Sequence, residues 1–136
     1  MLYTKRFTHG ETPAYIANEY ELQCEAAYYG LAPDVIRTDY RTYIQMEDLD
    51  ALNVADMYGE EIPKEILEKI YTIVRFLYDT CDIEYLDLTP YNFIEKNGLV
   101  YVVDFGDARP RQPVLDPYLA EIFQAGCITH WNPAFL

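Results

Sequence analysis

The sequence is poor in positive charge. Ten lysines and arginines face 23 aspartates and glutamates, so the formal net charge is −13. An acidic balance of this size excludes direct binding to nucleic acid or to an anionic membrane, because both require a basic footprint. It does not exclude a small phosphate-bearing ligand, whose charge a metal ion and one or two lysines can neutralise locally. It also favours a basic protein partner.

Cysteine and long apolar runs are scarce as well. The three cysteines, Cys24, Cys81 and Cys127, are far apart and odd in number, and no CxxC pair occurs. This pattern excludes a disulfide framework and a zinc site, and it is typical of reduced thiols in the cytoplasm. No stretch reaches the roughly 18 apolar residues of a membrane span, and the beginning MLYTKRFTHG lacks the apolar core of a signal peptide. We therefore expect a cytoplasmic protein.

Apolar residues are plentiful enough for one hydrophobic core. They make up 51% of the 136 residues, a length that fits a single domain. Alternation, turn residues and helical spacing predict strands at 2–7, 33–36 and 42–46, a turn at 37–41, a helix over 14–29, a helix from Pro63 through Tyr78, and a last short helix at 118–125.

A β-hairpin is the strongest local signal in the sequence. Two apolar runs at 92–95 and 99–103 flank Asn97-Gly98. An Asn-Gly pair between such runs predicts a tight turn, because the turn needs positive φ angles. The motif Asp104-Phe105-Gly106 follows the second run directly, and we expect its glycine to let the backbone turn away.

Three polar residues around this hairpin form a candidate site. Asp87 precedes the hairpin, Asn92 begins it and Asp104 ends it, so the turn brings Asn92 and Asp104 together. Their oxygen atoms suit a hard cation such as Mg²⁺, and Asp87 is placed to accept a proton from a hydroxyl group. The structural alternative is that Asp87 and Asn92 are turn formers and that Asp104 caps a strand end.

The run YLDLTPYNFIEKNGLVYVVDFG, residues 85–106, resembles the catalytic loop and metal-binding segment of the protein-kinase-like superfamily. The resemblance implies an α+β fold, a truncated two-lobe kinase-like architecture in one domain. Residues 1–48 would form a reduced N-lobe, a sheet with one helix. Residues 49–136 would form a small helical C-lobe that carries the hairpin.

The same resemblance implies the chemistry of the site. It gives Asp87 as the catalytic base, and Asn92 and Asp104 as ligands of Mg²⁺ bound with ATP. The implied function is an ATP-dependent phosphotransferase, an atypical protein kinase of the serine/threonine type, acting on a protein or a small-molecule acceptor. The alternative is a pseudokinase-like module that binds nucleotide or protein without phosphoryl transfer.

Upstream of the hairpin, the resemblance implies a lysine that holds the phosphates and a helix glutamate that pairs with it. Lys5 is the expected lysine. Glu19 is the expected glutamate, because the segment from Asn18 to Pro33 is similar to its counterpart in choline-kinase-like enzymes. Glu21 and Glu25 stay open as alternatives.

The run from Tyr43 to Asp48 is similar to the strand that leads to the nucleotide hinge of this superfamily. The main chain near Glu47 is then expected to meet the adenine base. Met46 would lie behind the base, although it is equally compatible with plain core packing.

The sequence departs from the superfamily pattern in several places. Only four residues precede Lys5, so we expect no glycine-rich loop, and a basic partner or a second copy of the chain is expected to complete the site. Tyr85 stands where the pattern has histidine, and Thr89 where conventional kinases often have lysine. In this the chain is similar to small atypical kinases, namely the RIO group, the kinase of the KEOPS complex and choline or aminoglycoside phosphotransferases. Asp116 is expected either to anchor the last helix to the loop that carries Asp87 or to cap that helix.

Overall fold

The fold mixes short strands with four helices, which confirms the expected combination of helix and strand. The computed structural model describes residues 1–136, and none of its helices combines the length and apolar character that a bilayer span requires. The strands are β1 Leu2–Arg6, β2 Val35–Thr38, β3 Tyr43–Glu47, β4 Ile83–Glu84, β5 Phe93–Lys96, β6 Leu99–Val102 and β7 Arg109–Pro110. The helices are α1 Pro13–Tyr28, α2 Val54–Tyr58, α3 Lys64–Asp79 and α4 Pro117–Ala125.

The first sheet is antiparallel and has the order β1-β3-β2. β2 lies later in the chain than expected, because the turn that ends it is built around Asp39 instead of starting at Arg37. The Asp39 carboxylate accepts hydrogen bonds from the main-chain N–H groups of Arg41, Thr42 and Tyr43 at 2.9, 2.8 and 3.2 Å. These bonds close the β2–β3 connection and leave Arg37 and Thr38 free to pair with β3.

Helix α1 lies between β1 and β2 in the chain, and its ends follow from its sequence. The Thr12 side chain accepts a hydrogen bond from Tyr15 N, and Pro13 occupies the first turn, where its missing N–H costs nothing. Gly30 stops the helix with φ of +75°, a conformation that glycine adopts without strain.

Two hydrophobic clusters stabilise the fold. A small cluster joins the first sheet to α1 through Phe7, Ile16, Ile44 and Met46. A cluster of 19 buried residues packs α3 against the hairpin and α4. The α3 side of this cluster is the predicted stripe of Ile66, Ile70, Ile73, Val74 and Leu77, all of which are buried.

The predicted hairpin is present as β5 and β6, which pair Phe93 with Val102 and Lys96 with Leu99. Asn97 and Gly98 have φ angles of +53° and +79°, as the turn requires. Asn92 itself lies in a 3₁₀ turn, Pro90–Asn92, instead of in the strand.

Helix α2, β4 and β7 were not predicted, because none is long enough to show a periodic pattern. β4 and β7 are fixed by Glu84, whose fully buried carboxylate accepts from Arg109 Nη2 at 2.8 Å and from Gln112 N at 2.8 Å. Asp116 caps α4, since its side chain accepts from Tyr118 N and Leu119 N.

Candidate functional site

A cleft of about 380 Å³ opens between the first sheet and the hairpin. This volume is within the range of small-molecule sites, roughly 300 to 1,000 Å³. Of the predicted site residues, Lys5, Met46, Glu47, Asn92 and Asp104 line the cleft, whereas Glu19 and Asp87 do not. Each of these two is joined to a lining residue by a hydrogen bond.

The Lys5 ammonium group connects the sheet, the helix and the segment after the hairpin. Its Nζ atom lies 2.6 Å from Oε2 of Glu19 and 3.2 Å from Oδ1 of Asp104. Burial alone would lower the pKa of Lys5, but the charges of Asp104 and Glu19 outweigh it and raise the pKa, so Lys5 stays charged. Glu19 is fully buried, whereas Glu21 and Glu25 are exposed. Among the three open candidates, the structure therefore pairs Glu19 with Lys5.

Asp104 has a main-chain conformation that few residues other than glycine adopt. Its φ is +62°, a left-handed conformation that costs energy in a residue with a side chain and that often occurs at functional sites. Two contacts hold it in addition to the Lys5 ammonium group. Its Oδ1 atom accepts from Gly106 N at 3.2 Å, and its main-chain oxygen lies 2.8 Å from the Tyr85 hydroxyl group.

Gly106 is required for a different reason from the one expected. The positive φ belongs to Asp104 and not to Gly106, so the glycine does not supply the turn. A Cβ atom at Gly106 would instead overlap the Tyr15 hydroxyl group and lie 3.1 Å from Oε1 of Glu19. The glycine therefore lets helix α1 approach the main chain next to Asp104.

One face of α1 makes three contacts with this segment, and the sequence reading missed two of them. Tyr15 lies against Gly106, Asn18 Nδ2 donates to Ala108 O at 2.9 Å, and Glu19 reaches Asp104 through Lys5. The available signal was their spacing, because residues at i, i+3 and i+4 share one face of a helix. Tyr15 and Asn18 share the helix face of Glu19, so this spacing was sufficient to indicate both residues.

Asp87 is half-buried and is held next to Asn92. Asn92 Nδ2 donates to the main-chain oxygen of Asp87 at 2.8 Å. Burial raises the pKa of the Asp87 carboxyl group above its usual value, and the negative charges of Asp104 and Asp107 raise it further. A raised pKa suits a group that must accept a proton near neutral pH.

The residues present fit a magnesium ion that is completed by phosphate oxygens. No group of three or more His, Cys, Asp or Glu side chains lies close enough to hold a metal ion by itself. Asn92 uses its Nδ2 atom on Asp87 and has Oδ1 left over, and Asp104 supplies a carboxylate. Mg²⁺ accepts such a partial oxygen set, because it keeps several waters and is often bound through substrate phosphates.

Met46 and Glu47 form the other side of the cleft. Met46 is nearly buried and belongs to the small core cluster, and its Sδ atom accepts from Gln23 Nε2 at 3.4 Å. Met46 is therefore a core residue and a cleft residue at once. The main-chain N–H of Glu47 donates to Asp34 O at 2.8 Å and is not free to meet a ligand.

The comparison with protein families agrees with this geometry. The model of the RIO domain matches residues 35–120, more than half of the chain. The chain belongs to the RIO domain family. RIO domains are atypical, ATP-binding kinases that generally use ATP with Mg²⁺. The matched part of this RIO domain contains Asp87, Asn92 and Asp104 but begins after Lys5 and Glu19. Compared with the curated proteins, the chain shows no significant match.

Proposed function

We propose that this RIO domain is an ATP-dependent phosphotransferase of the serine/threonine protein-kinase type, with a reduced two-lobe architecture. The observation that supports this most directly is the bridging position of Lys5. One ammonium group bonds both the buried Glu19 of α1 and Asp104 after the hairpin. A lysine held in this way is placed to bind phosphates at the same point where Asp104 can bind their metal ion.

In the proposed reaction, Asp87 accepts the proton of the acceptor hydroxyl group. The hydroxyl oxygen forms a bond to the γ-phosphorus of ATP, the bond from that phosphorus to the β,γ-bridging oxygen breaks, and ADP leaves. Asn92 and Asp104 would hold Mg²⁺, which would neutralise charge on the phosphate oxygens. Lys5 stays protonated and orients the phosphates, and Glu19 fixes Lys5 from the core side.

The charge around the cleft makes the metal ion essential to this proposal. Lys5 is the one basic residue that lines the cleft, whereas Glu47, Asp48, Asp50 and Asp104 are acidic. A nucleotide without a cation would therefore be repelled. The net charge of −13 further favours a basic protein as the acceptor or as a partner. A second copy of the chain is the other candidate for completing the site.

A second candidate function is a pseudokinase-like module that binds nucleotide or protein without transfer. The same shortage of cations in the cleft favours it, because weakly held phosphates react slowly. Both candidates are proposed for a cytoplasmic setting, where ATP is available and where three free cysteines stay reduced.

The decisive experiment measures label transfer and label release from γ-labelled ATP with Mg²⁺. The variants are Asp87→Asn and Asp104→Asn, and the matched control is Asp79→Asn, which makes the same change far from the cleft, where Asp79 pairs with Arg75 at the end of α3. We expect wild type and the control to transfer label and both site variants to lose at least 100-fold in rate.

The result also separates the two candidates. If wild type and the two site variants release and transfer label equally, phosphotransferase activity is contradicted. A thermal shift with Mg²⁺ and ATP that Asp104→Asn abolishes would then support the binding module. No thermal shift in wild type would contradict the nucleotide site itself, and with it the phosphotransferase and the nucleotide-binding form of the module.

A further inference from the structure

Two asparagines hold the main chain around Asp87. The oxygens of Leu86, Asp87 and Leu88 are three successive main-chain acceptors in the loop that carries the candidate base. Asn92 Nδ2 donates to the middle one at 2.8 Å. Asn132 bonds the two outer ones, since its Nδ2 atom donates to Leu86 O at 2.8 Å and its main-chain N–H to Leu88 O at 3.0 Å.

Asn132 is distant in sequence and is itself rigidly held. It lies in the segment after α4, and only 5% of its surface is exposed. Its Oδ1 atom accepts from Ala134 N at 3.1 Å and so closes the turn that follows. The preceding residues are fixed to α4, because the Tyr118 hydroxyl group donates to His130 O at 2.6 Å.

We propose that Asn132 is a positioning residue for phosphoryl transfer, which clamps the loop on both sides of Asp87 and so fixes the direction of its carboxylate. This inference rests on the proposed function. It assigns to the C-terminal segment a role that the sequence suggested for Asp116, whose side chain caps α4 and makes no hydrogen bond to the loop. The segment from Gly126 onward is then part of the catalytic machinery, beyond its packing contacts.

The chemistry of an asparagine suits this position closely. Its amide nitrogen donates toward the loop while its amide oxygen accepts from Ala134. An aspartate would keep the second bond, but it would turn a carboxylate oxygen toward Leu86 O and repel it. Because both groups are buried, the loop would move to separate them. A displacement of about 1 Å at a reacting group can reduce the rate about 100-fold.

The test compares Asn132→Asp and Asn132→Ala with wild type, and Asn97→Asp is the matched control. Asn97 lies in the exposed hairpin turn, where aspartate is also accepted at positive φ. We measure kcat, KM for ATP, the thermal shift with Mg²⁺ and ATP, and hydrogen exchange of residues 85–92. The expected result for both Asn132 variants is a 10- to 100-fold lower kcat, KM within twofold, a retained thermal shift and faster exchange in 85–92. Asn97→Asp should match wild type.

Several outcomes would overturn this inference. These are an unchanged kcat, a loss that appears only in KM, or faster exchange spread over the whole chain. Failure of both Asn132 variants to fold would also overturn it, because a purely structural role of Asn132 would then be enough to explain the loss of activity. An inactive wild type would contradict the proposed function separately. Hydrogen exchange in the Asn132 variants would then test whether Asn132 holds the loop. Faster exchange confined to residues 85–92 would support this role, and unchanged exchange would contradict it.

Discussion

Tyr85 supports Asp104 through the main chain. The Tyr85 hydroxyl group lies 2.6 Å from the main-chain oxygen of Val103 and 2.8 Å from that of Asp104. The Tyr85 ring is fully buried between Phe93 and Phe105, with ring centres 5.9 and 5.4 Å away. The tyrosine therefore links the start of the loop that carries Asp87 to the strained residue that ends the hairpin. This contact explains how a tyrosine can stand where the superfamily pattern has histidine.

Changing Tyr85 to phenylalanine should remove this support and keep the packing. Two main-chain oxygens would lose a buried donor, so we expect a loss of about 1 to 3 kcal/mol in the free energy of unfolding. The thermal shift with Mg²⁺ and ATP should fall as well, because Asp104 would lose one restraint on its positive φ. Urea unfolding and thermal shift measure the two effects.

The matched control is Tyr101→Phe, at a half-exposed position on β6 where the hydroxyl group makes no hydrogen bond within the protein. It should change neither quantity. Equal effects of the two substitutions would show that the Tyr85 hydroxyl group has no special role in holding Asp104.

Replacing Lys5 with methionine should abolish binding of ATP with Mg²⁺ and destabilise the fold. The fully buried Glu19 would lose its partner, and breaking a buried ion pair costs about 3 to 5 kcal/mol. The double variant Lys5→Met/Glu19→Gln removes the unpaired charge. It should recover much of the stability but none of the nucleotide binding, as urea unfolding and thermal shift would show.

Arg6→Met is the control for this prediction, because Arg6 is exposed and its side chain points to the opposite face of β1. It removes the same charge and should leave nucleotide binding intact. If the double variant still bound ATP with Mg²⁺ as wild type does, Lys5 would not be the phosphate-binding lysine.

Gly106→Ala should push α1 away from Asp104. The new methyl group would overlap the Tyr15 hydroxyl group and crowd Glu19, and overpacking of this kind costs about 1 to 3 kcal/mol. The second substitution Tyr15→Ala should relieve the overlap. We expect the double variant to lose less stability than the sum of the two single variants, a deviation that a double-mutant cycle in urea measures. Strictly additive losses would contradict the close approach.

The sequence was sufficient for those parts of the site that depend on local spacing. The hairpin brings together the candidate residues that flank it, which are Asp87, Asn92 and Asp104. The hairpin itself could be predicted from its turn residues, Asn97 and Gly98. Local rules also predicted α1 and α3, since a cap or an apolar stripe marks each of them.

The remaining parts depend on contacts between distant segments, which leave little trace in a sequence. Tyr15 approaches Gly106, and Asn132 bonds Leu86 and Leu88, only after the whole chain has folded. Sequence spacing alone did not separate Glu19 from its helix neighbours, and only the resemblance to choline-kinase-like enzymes favoured it. In the structure, burial separates Glu19 from the exposed carboxylates of Glu21 and Glu25.

The pH dependence of stability should report on the Asp39 turn. Hydrogen bonds from Thr42 to the Asp39 carboxylate, together with main-chain bonds from Arg41 and Tyr43, lower the pKa of Asp39 well below its usual value. A lowered pKa in the folded state means that the carboxylate stabilises the fold above its unfolded pKa of about 4. This contribution is lost as the pH falls toward the folded value.

Asp39→Asn should therefore be less stable than wild type near pH 7. This difference in the free energy of unfolding should narrow as the pH falls below about 4, because the unfolded chain of wild type then takes up a proton that the folded carboxylate does not. Urea unfolding at a series of pH values measures the difference. Asp34→Asn is the control, because the Asp34 side chain is exposed and makes no hydrogen bond; it should show no such narrowing. If the difference in free energy of unfolding between wild type and Asp39→Asn stayed constant from pH 7 to pH 2, the turn would not depend on the ionised carboxylate.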